Sequence, residues 1–266
     1  MTRELGGREP FPGALASLGL TVAVLLVFSF LDPGAKWPLG TSNLLAFGLV
    51  LAVGWAWQRR GSAPSSATPA TVLANPLALA LGVGLSAVGG SLVLGQVGNL
   101  VAQLWPIPET LVRALTRLFD PSQPVPLLVA LMLVAPLTEE SLFRGLMLPP
   151  LVRRYGSWAA VLWTSLLFGL MHLNPWQGVP AVFAGVYLGW LRLKTGGLAW
   201  PLAAHALFNG LPVVLALAGL VVAGYNTPVA SVEPPLPALW LAGGLVSLAA
   251  GLVLTFGRLF HSPEIW

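Results

Sequence analysis

The chain has no cysteine, so disulfides, thiolate nucleophiles and thiolate-held metals are excluded together, and the redox compartment stays open. Charge is scarce as well. Only 8% of the 266 residues are Asp, Glu, Lys or Arg, against roughly 25% in a soluble domain, which could not cover its surface with so few. Just two aspartates, Asp32 and Asp120, are present, and both fall in loops, so an intramembrane aspartyl dyad is excluded. No HExxH and no GxSxG occurs, which removes the zincin pair and the serine elbow. Gly (30) and Pro (24) show no fixed period and sit inside apolar runs, so fibrous and disordered classes are excluded too.

What remains is apolar: 56% of residues are hydrophobic and the mean hydropathy is +0.82. The fold class this implies is an all-α polytopic integral membrane protein. Apolar stretches bounded by charge or by Pro/Gly breaks predict eight crossings, at residues 11–31, 39–57, 72–94, 125–148, 157–173, 178–191, 198–219 and 236–256. Residues 1–266 read as one membrane domain, with 1–70 an accessory two-helix unit and linker and 71–266 a six-helix core. The first run reads as a retained anchor, since no small-x-small cleavage site precedes Asp32.

A pI of about 10.1 would suggest nucleic acid if the basic residues formed a patch, but they sit at the ends of apolar segments, so no nucleic-acid partner is expected. Arg3, Arg8, Arg59, Arg60, Arg153, Arg154, Arg192, Lys194 and Arg258 fall on the side shared with the termini, and Lys36, Arg113 and Arg117 opposite. Nine against three predicts that both termini are cytoplasmic. Residues 95–124 are less apolar, and their Leu/Val spacing over 111–119 predicts an external amphipathic helix on the membrane surface. The glycines at 82, 84, 89, 90, 95 and 98 are read as sites of close helix packing.

An ionisable group at membrane depth is costly and needs a partner or a task. Those present are Glu139, Glu140 and Arg144 in the fourth crossing, His172 in the fifth, and His205, with Asn209, in the seventh. Positions four apart stack on one helix face, so Glu140 can pair with Arg144 while Glu139, about 100° away, points elsewhere. A structural ion pair explains Glu140 and Arg144 but not the second carboxylate. Pro136 removes a helical hydrogen bond just before the acids. At 1.5 Å per residue, Glu139, His172 and His205 can meet near mid-bilayer.

A carboxylate and two imidazoles can act on water in two ways. Glu139, His172 and His205 can hold a zinc ion with an open position for water, or the carboxylate can take the proton directly as general base without a metal. Asn209, one turn after His205, is placed to donate to an oxyanion.

The motifs Glu139-Glu140-x-x-x-Arg144, Phe168-x-x-x-His172 and His205-x-x-x-Asn209, in that order, resemble those of the CPBP family of intramembrane proteases, which includes the CAAX-processing Rce1-type endopeptidases and bacterial Abi proteins. They cover residues 139–209, about a quarter of the chain. The resemblance implies an eight-helix fold with an intramembrane cavity and cleavage of a membrane-attached peptide or protein substrate within the lipid bilayer. By position, Glu139 then matches the water-activating base, His172 its partner, His205 and Asn209 the oxyanion pair, and Glu140 with Arg144 the supporting pair. Family members are labelled metallo-dependent, and a metal-free glutamate mechanism has also been put forward for them. Two other classes compete: a non-catalytic scaffold or immunity-type protein, and a proton-coupled transporter, which the absence of matching motifs in the two halves disfavours.

Overall fold

The structure, a computed structural model, describes residues 75–118 and 124–257. The crossings expected at 11–31 and 39–57, the linker that follows them, and His261 lie outside the described residues. Among the described residues every regular element is helical.

Helix α1 (Pro76–Leu104) begins where Asn75 turns its side-chain oxygen onto the amides of Leu77 and Ala78, at 3.0 and 3.1 Å, with Pro76 in the first turn where its missing N–H costs nothing. It runs ten residues beyond the crossing expected to end at 94, so residues 95–104 belong to this helix and not to a surface segment. The amphipathic element is the shorter α2 (Glu109–Leu118).

The next helical run, Pro124–Leu170, contains the two crossings expected at 125–148 and 157–173. It is composite. Helix α3 (Pro124–Val129) passes into a π-helical stretch (Ala130–Val134), then α4 (Ala135–Glu140), a second π stretch (Ser141–Met147) and α5 (Leu148–Leu170). A straight helix of 47 residues would be about 70 Å long, more than twice the hydrocarbon core. The run is broken instead at Gly156, whose φ of 79° and ψ of 169° lie far from helical values. From there to Leu170 the second arm is about 21 Å long, shorter than the roughly 30 Å hydrocarbon core.

Helix α6 (Pro175–Thr195) is capped by Asn174 and closed by Gly196 in the left-handed conformation. Helices α7 (Ala199–Leu217) and α8 (Ala238–Phe256) complete the set. Four of these runs are long and apolar enough to cross a membrane: Pro76–Leu104, Pro124–Leu170, Ala199–Leu217 and Ala238–Phe256. The described residues therefore support a membrane protein; the four qualifying runs hold five of the eight expected crossings, and the one expected at 178–191 falls in α6, which is not among them.

Packing follows from small residues. A Cβ on Gly82 would lie 2.6 Å from Thr255 Oγ1, and Cβ atoms on Gly89 and Gly251 would strike the Leu248 and Ser86 backbones, so α1 and α8 approach nearly to backbone contact. Gly84 has nothing within 4 Å of such a Cβ and has no part in this. On its other side α1 buries Leu79, Val83 and Ala87 against Leu188, Leu191 and Ala204 of α6 and α7. The outer surface is apolar, with Leu77, Leu133, Val246 and Val253 all exposed, as expected of side chains that face lipid.

The α7–α8 connection folds back on α1. Asn99 Nδ2 donates to Gly224 O at 2.6 Å and to Pro234 O at 3.1 Å, and the Leu236 amide donates to Gln96 Oε1 at 2.7 Å. Pro212, inside α7, cannot bond the carbonyl of Phe208 four residues back. Ser91 Oγ supplies that bond from α1 at 2.9 Å, and Tyr225 O–H donates in turn to Ser91 Oγ at 2.6 Å. Burial pushes the Tyr225 hydroxyl up to about 12, so it stays protonated and able to donate.

Candidate active site

The two acids close α4, directly before the second π stretch. Such departures from the α ladder redirect side chains and recur at functional sites. Glu140 Oε1 accepts from Arg144 Nη1 at 2.8 Å, and both side chains are fully buried. The expected pairing is therefore present. Arg144 is held twice more: Nη2 donates to Gly185 O at 3.0 Å, and its guanidinium lies 4.7 Å from the centroid of the Phe168 ring. Gly185 lets α5 and α6 approach this closely, because a Cβ there would lie 2.9 Å from Ser165 Cα.

His205 reaches the same carboxylate from α7. Its Nδ1 lies 2.8 Å from Glu140 Oε1. A carboxylate paired with Arg144 accepts only, so Nδ1 carries the proton, and Nε2 is turned to Glu139 Oε2 at 3.6 Å. The imidazole thus stands between the two acids, one on each nitrogen. Glu140 is fully buried, whereas the Glu139 side chain keeps 22% of its surface accessible. The acid left over from the ion pair is the accessible one.

His172 lies in the turn just past α5, not in the helix where the sequence placed it. Its Nδ1 donates to Phe168 O at 3.0 Å, leaving Nε2 free to take a water proton or present a lone pair. Both imidazoles meet the Phe168 ring edge-on, with centroids at 5.3 Å for His172 and 5.7 Å for His205. Phe168 is the wedge that sets their spacing. The neighbour of His172, Leu173, has φ 55°, a left-handed conformation that a branched apolar residue rarely adopts. Asn174 holds this turn, its Nδ2 donating to His172 O at 2.8 Å while its Oδ1 accepts from Gln177 N at 2.9 Å to cap α6.

Asn209, expected to face an oxyanion, donates Nδ2 to Leu131 O at 3.3 Å across the interface with the first π stretch. The structure therefore brings Glu139, Glu140, Arg144 and His205 into one connected group, joins His172 to it through Phe168, and ties Asn209 to the neighbouring backbone. Gly185, Leu131 and Asn174 are additions that the sequence reading missed. The first two act through carbonyls, which no residue type announces; Asn174 before Pro175 is a helix-start signal that was there to be read.

Among the described residues no group of three His, Asp or Glu side chains is arranged to hold a metal ion. His205 donates Nδ1–H to Glu140, the outer hydrogen bond that a metal-bound imidazole also makes, so Glu139, His172 Nε2 and His205 Nε2 keep the donor types that a zinc ion would need.

Residues 121–211 match the family model described as type II CAAX prenyl endopeptidase Rce1-like. A stretch of 108 residues is 35% identical to CAAX prenyl protease 2 of Arabidopsis thaliana, covering 32% of this chain and 34% of that protein. A match over 100 residues is 36% identical to an uncharacterized 24.3 kDa protein of Escherichia coli, covering 34% of this chain and 46% of that one. The chain thus spans less than half the length of either relative. No solved structure matches. The matched segment contains every site residue described above, and the resemblance read from the three motifs is borne out over it.

Proposed function

With residues 121–211 Rce1-like, we propose that this protein is an intramembrane endopeptidase that hydrolyses a peptide bond of a membrane-attached protein or peptide, with Glu139 as the water-activating base. The observation that carries the reading is the division of labour between adjacent acids. Glu140 is consumed by Arg144 and His205, and Glu139, still accessible, faces an imidazole nitrogen. A packing device has no use for a second carboxylate.

In this mechanism water lies between Glu139 and His172 Nε2. Glu139 takes one proton as the water oxygen bonds to the scissile carbonyl carbon, and the carbonyl electron pair moves onto its oxygen. Asn209 Nδ2–H, and His205 Nε2–H when the ring carries both protons, donate to that oxyanion, while Glu140 holds His205 Nδ1–H. The proton on Glu139 then passes to the amide nitrogen, the C–N bond breaks, and an amine and a carboxylic acid leave. Both termini lie on the cytoplasmic side, as the nine-to-three charge asymmetry supports.

The test compares new peptide termini, by mass spectrometry, in membranes of cells expressing the wild-type chain or Glu139→Gln at equal levels. Termini lost only in the variant support the proposal and identify substrates. Identical termini in both, with expression matched, favour a non-catalytic scaffold or immunity-type protein.

A further inference from the structure

An asparagine amide has two protons, and one Nδ2 proton of Asn209 goes to Leu131 O. That carbonyl is free because of a single residue. In the first π stretch the Ala135 amide bonds back five residues to Ala130 O. The next donor in that ladder, which Leu131 O would receive, belongs to position 136, and Pro136 has no N–H. Pro136 is buried at membrane depth, where an unpaired carbonyl finds no water to satisfy it. Asn209 fills the gap from α7.

The same device recurs at Pro212, which frees Phe208 O for Ser91 in the same helix as Asn209. At Pro136, however, the donor that answers is the one the proposed reaction needs. A carboxamide is planar, so fixing one N–H on Leu131 O fixes the direction of the other. From this geometry we infer that Pro136 is a positioning residue: by withholding its N–H it exposes Leu131 O, which clamps the Asn209 carboxamide and leaves one aimed Nδ2 proton for the substrate oxyanion. The inference rests on the endopeptidase reading above.

Pro136→Ala restores the backbone donor and lets the helix satisfy its own carbonyl, releasing Asn209. The full chain is reconstituted in phosphatidylcholine vesicles with a synthetic peptide carrying the sequence around the strongest new terminus from the comparison above. Loss of one oxyanion donor costs on the order of 100-fold in kcat, expected for Asn209→Ala, while loss of its aim alone, in Pro136→Ala, is expected to cost about 10-fold with KM within about twofold. The double variant should fall no lower than Asn209→Ala, because Pro136 acts only through Asn209. A wild-type kcat in Pro136→Ala, or losses that multiply in the double variant, overturns the inference.

A second readout needs neither cleavage nor a folded variant. In the ¹⁵N-asparagine-labelled wild-type chain, one Nδ2 proton of Asn209 should be protected from exchange and its partner not. Equal, rapid exchange of both protons overturns the clamp. If the wild-type chain cleaves nothing while the one-proton protection holds, the endopeptidase reading falls and the clamp stands.

Discussion

At the residue scale, the chemistry turns on two neighbouring glutamates with unequal surroundings. Arg144→Met leaves the Glu140 carboxylate buried without its cation and should cost about 3–5 kcal/mol, because removing one partner of a buried pair strands the other charge. Glu139→Gln removes no such partner and should cost less than about 1 kcal/mol, since it strands no buried charge. Thermal unfolding in detergent, followed by circular dichroism, checks both; equal losses would mean that Glu139 carries structure and not chemistry. The i,i+4 pairing of Glu140 with Arg144 was legible in the sequence, as was the surplus of one acid. The bracket that Glu140 and Glu139 make around His205 was not, because it depends on how α7 is rotated against α4. The engagement of Asn209 was equally hidden, since its partner is the carbonyl of a leucine.

At the scale of elements, two devices hold apolar helices together in a solvent as apolar as they are: close approach at glycine, and side chains from one helix answering carbonyls freed by proline in another. The first predicts opposite effects for two glycines on α1. Gly89→Ala pushes a Cβ into the α8 backbone and should cost about 1–3 kcal/mol, whereas Gly84→Ala meets open space and should gain about 0.5–1 kcal/mol from helix propensity. Unfolding midpoints of the two variants check this, and a cost at both positions would contradict the packing described. Composition alone could not tell these glycines apart, because each lies in the same apolar run. Likewise Pro149 and Pro150 look like a break between crossings, yet they occupy the first turn of α5, where a missing N–H is tolerated, and the break falls at Gly156. His172 fell outside its expected helix for a related reason: the arm after Gly156 ends at Leu170, and the chain turns through Leu173 in the left-handed conformation.

At the scale of the molecule, composition made the membrane protein legible, and basic residues at segment ends gave an orientation that labelling can test. The absence of cysteine is convenient here, since a single introduced thiol is unique. Arg153→Cys lies near the Gly156 break and Val232→Cys in the α7–α8 connection, both exposed. A membrane-impermeant maleimide should label Arg153→Cys only from the cytoplasmic face and Val232→Cys only from the other; labelling of both from one face would contradict the topology. The number of crossings was the weakest part of the sequence reading: the break near 156 was legible as the gap between two apolar runs, but the stretch expected to cross at 178–191 lies in α6, which is not among the four qualifying runs. The most direct test of the central claim is release of new amino termini from vesicle-bound peptide by the purified wild-type chain and by Glu139→Gln, each after exhaustive chelation of divalent ions. The account predicts that the chelated wild-type chain still cleaves and that Glu139→Gln is slower by at least about a thousandfold, the order expected on losing a general base that also orients the water. Equal release by the two proteins would contradict it.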